Sequence, residues 1–103
     1  MINEILTAAA VPFQEARFPD PPGSTFAIYS EDVDAAGADH SNCIFTHDVT
    51  VELYEPHRDD AAEAAIEAEL NARGIPWVKQ GRYWLNDIRR YQVVYEFSYI
   101  VKT

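Results

Sequence analysis

The chain has one cysteine, Cys43, in 103 residues, only four glycines and one methionine, and eight cations against 17 acids. A single thiol excludes an intramolecular disulfide and a zinc site built on cysteines, and it fits a reducing cytoplasm. Its simplest role is a buried thiol at a strand start, because free cysteine packs as a small apolar group. The glycines, at 23, 37, 74 and 81, are too scattered to form a phosphate-cradling loop. No apolar run approaches the roughly 20 residues that span a bilayer. The opening Met1-Ile-Asn-Glu-Ile-Leu-Thr7 carries an early acid and no basic stretch, unlike a secretory leader. A formal charge of −9 argues against a nucleic-acid groove, since neutralising phosphates requires clustered cations.

What is present is hydrophobic alternation. With 48% hydrophobic and 13% aromatic residues, the chain can build one core in one domain, residues 1–103. Residues 43–54 place Phe45, Val49, Val51 and Leu53 on one face, and Thr46, Asp48, Thr50 and Glu52 on the other. Residues 91–101 place Tyr91, Val93, Tyr95, Phe97, Tyr99 and Val101 opposite Gln92, Glu96 and Ser98. Period two of this kind marks strands with one buried face. Each stretch is about 11 residues, or roughly 37 Å at about 3.4 Å per residue. A compact chain of this size has a radius of gyration of only about 13 Å. Such strands must cross the whole molecule or project beyond it, as in a subunit that continues its sheet into neighbours.

Between and around these stretches the signals are local. Ile2, Ile5 and Leu6 have helical spacing and define a short N-terminal helix that stops before Pro12. Residues 18–23 form a proline-rich connector, and residues 25–29 a first strand. Residues 31–42, rich in acids and alanine, read as a long exposed loop or a floppy hairpin. A helix follows Pro56, capped by Asp59 or Asp60, with Asp60 and Glu63 spaced like a capping box. Its apolar stripe is Ala62, Ala65, Ile66 and Leu70, and Gly74 and Pro76 end it. Residues 75–80 and 83–85 read as short extended pieces. The expected fold is α+β, an antiparallel sheet of about four strands with one main helix on a face and a short N-terminal helix.

No residue pattern supports catalysis, a cofactor or a metal. His40, His47 and His57 lack metal-binding spacing, and His47 lies on the inward register of a strand, where a structural or interface histidine is expected. Asp32, Asp34 and Asp39 offer oxygen atoms, but not at the spacing of a calcium loop, and a solvated acidic loop is the simpler reading. The chain therefore reads as a non-enzyme with a partner interface. Trp77, Tyr83 and Trp84, interleaved with Arg82, are residue types that dominate binding interfaces, although Trp77 suits the core better. Arg89 and Arg90 complete a late basic group that faces, in sequence, the acidic residues Asp32, Asp34 and Asp39. Opposite charges on separate patches suit head-to-tail contacts between identical subunits.

The order of elements resembles that of the small tail terminator, or tail completion, proteins of siphophages and prophages, also called minor tail or head–tail joining proteins. The resemblance rests on the short first helix before Val11-Pro-Phe13 and on the proline-rich lead into Phe26-Ala-Ile-Tyr29. It continues through Gly37-Ala-Asp39, Val49-Thr-Val-Glu-Leu-Tyr54, Arg73-Gly-Ile-Pro76 and the closing Tyr91-Gln-Val-Val-Tyr-Glu-Phe97. It implies a hexameric ring that caps a finished tail tube, meets the tube protein on one side and the head–tail connector protein on the other, and resides in the virion after assembly in the bacterial cytoplasm. Two alternatives stay open: a small enzyme holding a metal on the Asp32–Asp39 loop, and an acidic binding module or inhibitor, such as a DNA-mimicking protein. A mimic needs its acids along one continuous face, whereas in the sequence they are divided between loop and helix.

Overall fold

The computed structural model describes residues 1–39 and 42–102. In chain order the elements are helix α1 (Ile2–Ala8), strands β1 (Phe13–Glu15), β2 (Phe26–Asp39) and β3 (Asn42–Glu55), helix α2 (Asp60–Ala72), and strands β4 (Trp77–Lys79), β5 (Tyr83–Leu85) and β6 (Arg90–Lys102). The six strands form one sheet, ordered β1-β2-β3-β6-β4, with β5 also on β6. The α+β class holds, but the expectation of about four antiparallel strands is corrected to six strands in a mixed sheet. The parallel member is β1, which pairs Phe13–Glu15 with Ala27–Tyr29 and is too short to show a period.

The two long alternating stretches are neighbours. β3 and β6 pair antiparallel without interruption from Ile44↔Lys102 to Glu55↔Tyr91. β2 joins the other side of β3, from Phe26↔Tyr54 to Ala36↔Ile44, with an irregularity before Asp39↔Asn42. Residues 31–39, most of the segment expected as a loop or a floppy hairpin, therefore belong to a 14-residue strand. Val33 and Ala35 keep the phase of Tyr29, and backbone pairing to β3 holds an acid-rich segment whose side chains alone would not order it. His40 and Ser41 lie outside the described residues, as do the side chains of Asp39 and Cys43.

Both helices lie on one face of this sheet. Ile2, Ile5 and Leu6 of α1 and Ile66 and Leu70 of α2 pack with Ala27, Tyr29, Val49, Val51, Leu53, Val93, Tyr95 and Phe97. α1 has only seven residues and gains its stability from this packing, because so short a helix does not persist alone. α2 begins at Asp59, whose carboxylate accepts the Ala62 N–H at 3.0 Å and the Thr25 hydroxyl at 2.6 Å. Asp59 as cap displaces the Asp60–Glu63 capping box and leaves Glu63 free to turn inward. Gly74, at φ +67°, reverses the chain as its N–H bonds the Asn71 carbonyl at 3.0 Å.

The helices cover only part of the sheet. Beyond the row Glu31–Val49–Phe97, the same face continues as Val33–His47–Tyr99 and Ala35–Phe45–Val101. There Val33 is 51% exposed and Val101 39%. The result is a three-stranded wing projecting from a helix-covered body, in a molecule measuring 49 × 27 × 22 Å. Strand length sets the long axis, as the sequence implied.

Ile66 is fully buried at the centre of the body. Ile66→Asp should destabilise the fold by about 3 kcal/mol or more, by burying an unpaired charge among apolar groups. Urea unfolding checks this, and an unchanged midpoint contradicts the packing of α2 on this face.

Candidate functional site

One edge of β6 is held by an internal ion cluster. β4 pairs Trp77–Lys79 with Phe97–Tyr95, whereas β5 pairs Tyr83–Leu85 with Gln92–Arg90, a shift of one residue at Gln80–Arg82. Extending the β5 register places Arg82 beside Val93, on the helix-covered face. Such a bulge re-aims a side chain. Arg82 Nη2 reaches Glu63 Oε2 at 2.5 Å and Arg82 Nε reaches Glu55 Oε1 at 3.4 Å. Lys79 Nζ contacts Glu63 at 2.8 Å and Glu67 at 2.7 Å, and the Tyr95 hydroxyl donates to Glu67 at 2.7 Å.

Glu55 is wholly buried and Glu63 is 3% exposed. Burial, together with a hydrogen bond to Glu63 and its charge, pushes the Glu55 carboxyl up to about 7 despite the opposing Asp59 backbone and Arg82. Burial acts the same way on Glu63, but hydrogen bonds from Glu55, Lys79 and Arg82 outweigh it and hold Glu63 low. The pair therefore shares one proton across the acid-to-neutral range. Glu55 Oε2 meets no N–H or hydroxyl donor, which a carboxyl sharing its proton with its neighbour does not require. The sequence signal for this cluster was Glu55 itself, an acid in phase with Val49, Val51 and Leu53.

A second polar group sits on the wing. Glu31 Oε2 accepts from His47 Nδ1 at 2.5 Å and from the Tyr99 hydroxyl at 2.8 Å, and the His47 ring stacks on Tyr99 with centroids 4.5 Å apart. Burial would raise the Glu31 carboxyl, but the His47 and Tyr99 hydrogen bonds bring it below its ordinary value. The Tyr99 hydroxyl is pushed up to about 12 by burial and by its bond to the carboxylate. His47 is thus hydrogen-bonded on the inward register, and it ties β2, β3 and β6 together across the wing.

The proposed interface residues are distributed over the molecule. Asp32 and Asp34 are exposed on the face away from the helices, opposite Asp48 and Thr46. Asp39 is placed by its backbone alone. Trp77 packs edge-on to Tyr95 and donates through Nε1 to Asn71 at 2.9 Å, so it belongs to the body. Tyr83 and Trp84 are both exposed, with Trp84 edge-on to Tyr91 at 4.9 Å. Arg82 and Lys79 are occupied within the subunit. Arg89 is exposed at a turn with φ +52°, and Arg90 donates to the carbonyls of Ile88, Arg89 and Gly23. The late cations therefore form a smaller free basic patch than the sequence suggested.

The face away from the helices carries Asp32, Asp34, Asp48, Glu52 and Glu96, alternating with Ser30, Thr46, Thr50 and Ser98. At its open side lies a hollow of about 570 Å³ lined by Asp48, Thr50, Pro76, Trp77, Val78 and Ser98, where β4 stops short of the end of β6. Among the described residues no three His, Cys, Asp or Glu side chains are grouped to hold a metal ion. Among the described residues no helix is long and apolar enough to cross a membrane.

No family model matches the chain, and no curated protein matches its sequence. Its fold is similar to that of a chain in a solved structure described as the virion of a native gene transfer agent (GTA) particle. The TM-score is 0.63 at 18% identity, over 96% of this chain and 84% of that one. At this identity the likeness is one of fold.

Two outcomes follow from the buried cluster. Arg82→Ala leaves Glu63 and Glu55 short of counter-charge and should cost about 3–5 kcal/mol in urea unfolding; a cost near zero would remove Arg82 from the cluster. Glu55 titrates at its ordinary 4.5 when unfolded but near 7 when folded, so between these values the folded chain binds more protons. Its contribution to stability therefore falls as pH rises from 4.5 to 7. Glu63 has the opposite sign, stabilising above its unfolded value and losing that stabilisation as pH falls. Glu55→Gln should flatten the decline towards neutral pH and raise the thermal midpoint above it. A variant with the wild-type pH profile contradicts the assignment.

Proposed function

We propose that this chain is a structural virion protein of a tailed phage, a prophage or a related particle. It forms a ring with copies of itself, six by the family resemblance, that terminates a tail tube and joins it to the head connector without catalysing a reaction. The observation that carries this reading is the wing: three paired strands extending past the helices, on a fold that nearly the whole of this chain holds in common with most of a chain from a GTA virion. A fold alone does not assign a role. The wing adds the physical reason, because a sheet that runs on past its helices has little use within a free subunit and much within an assembly. Exposed Tyr83, Trp84 and Ile88 supply apolar area beside Arg89 for contact with the tube or connector.

One observation favours the second reading, an acidic binding module. Asp32, Asp34, Asp48, Glu52 and Glu96 share a face, so the acids are less divided than in the sequence. A DNA mimic would present that face to a basic groove. The two readings separate cleanly. Deletion of the gene from a particle-producing genome should yield tails of abnormal length, or tails not joined to heads, under the electron microscope. Normal joined particles from the deletion strain overturn the structural role and leave the binding module in its place.

A further inference from the structure

The wing has two unpaired edges, and their backbone groups can be assigned. In a strand the N–H and C=O of one residue point to the same side, and successive residues alternate. The Gln80 N–H bonds the Val94 carbonyl at 2.9 Å, so even-numbered residues of β6 point away from β3. The pairing of β6 with β3 is unbroken to Lys102, which directs the backbone of Ser98, Ile100 and Lys102 outward. On the other side, the Ala16 N–H bonds the Tyr29 carbonyl and the Ala27 N–H bonds the Pro12 carbonyl, both at 2.8 Å. Odd-numbered residues of β2 therefore point away from β3, which directs Glu31, Val33 and Ala35 outward. Among the described residues no strand pairs with β6 beyond Phe97 or with β2 beyond Tyr29 on these sides.

We propose that these edges pair with each other between copies, β6 of one subunit alongside β2 of the next, in a parallel, head-to-tail junction that continues the sheet around the ring. Both strands are antiparallel to β3, so they run in the same direction, and a rotation that extends the sheet brings them together in parallel. Charge selects this pairing over its rivals. The β2 edge carries Glu31, Asp32 and Asp34, and two such edges would set acids against acids. The β6 edge from Ser98 to Lys102 has no acid and ends in a cation. A two-fold β6 pair would leave the outward groups of β2 uncovered, whereas the head-to-tail junction satisfies both edges of every subunit. It also covers Val33, 51% exposed, and Ile100, 60% exposed. The hollow beside Pro76 and Trp77 marks where the incoming strand follows β4 along β6.

Val33→Pro and Ile100→Pro each remove one outward donor without touching the ladders to β3. Wild type should self-associate in sedimentation as concentration rises. Each proline variant should keep its fold by circular dichroism and remain monomeric. An equimolar mixture retains one intact junction and should give a heterodimer and nothing larger. Where a proline variant fails to fold, Val33→Lys sets a cation against the Lys102 end of β6, and Ile100→Glu sets an acid against the acids of β2, so each blocks the same edge from the side chain. Dimerisation of Val33→Pro alone would reveal two-fold β6 pairing and overturn the proposal, as would wild-type assembly by both variants or a wild type that stays monomeric to its solubility limit. This inference rests on the ring reading, and the two fail separately. A chain that pairs through its edges but is absent from particles refutes the role, while a chain present in particles yet monomeric in solution refutes the junction.

Discussion

The uninterrupted ladder between β3 and β6 sets the terms for the rest of the molecule. It brings residues 44–55 level with 91–102 and fixes which face of both strands turns inward. A slip of one residue would exchange Val49, Val51 and Leu53 for Asp48, Thr50 and Glu52 beneath the helices, so the pattern permits one register. The other elements use the surface this ladder provides. α1 and α2 cover its proximal half, β2 adds to one side, and β4 and β5 add to the other. Because the ladder is longer than the helices can cover, it also creates the wing.

Charged groups reinforce that register. Glu55 ends the inward stripe of β3, and its burial is tolerable only where Arg82 and a shared proton with Glu63 are at hand. The one-residue shift between β4 and β5 brings Arg82 to that side of the edge. Buried ion clusters contribute modest net stability, but mispairing them is costly, so they discriminate between registers. Glu31, His47 and Tyr99 do the same at the root of the wing, where Tyr99 still touches the margin of the core.

Much of this was legible in the residues. Alternation in 43–54 and 91–101 located the central strands, and Asp59 or Asp60, with Gly74 and Pro76, located the ends of α2. The strand count was not legible, because Phe13–Glu15 is three residues long and acquires its parallel partner only through the fold. Residues 31–39 read as part of a loop or a floppy hairpin because acids and alanines are poor strand formers in isolation. Pairing to β3 overrides that preference. Arg82 read as an interface cation because the sequence does not show the bulge that turns it inward. The acids of the outer face looked divided because Asp32 and Asp48 become neighbours only across the hairpin.

The functional account joins two facts of different kinds, a fold also found in a chain of a GTA virion and a sheet extended past its own cover. The first is a likeness; the second is a physical property of this chain, and it makes assembly the economical explanation of the strand lengths. Electron cryomicroscopy of the intact particle tests the claim most directly. The account predicts copies of this chain in a closed ring at the head-proximal end of the tail tube. Particles that join head to tail with no such ring, or that lack the chain altogether, would contradict it.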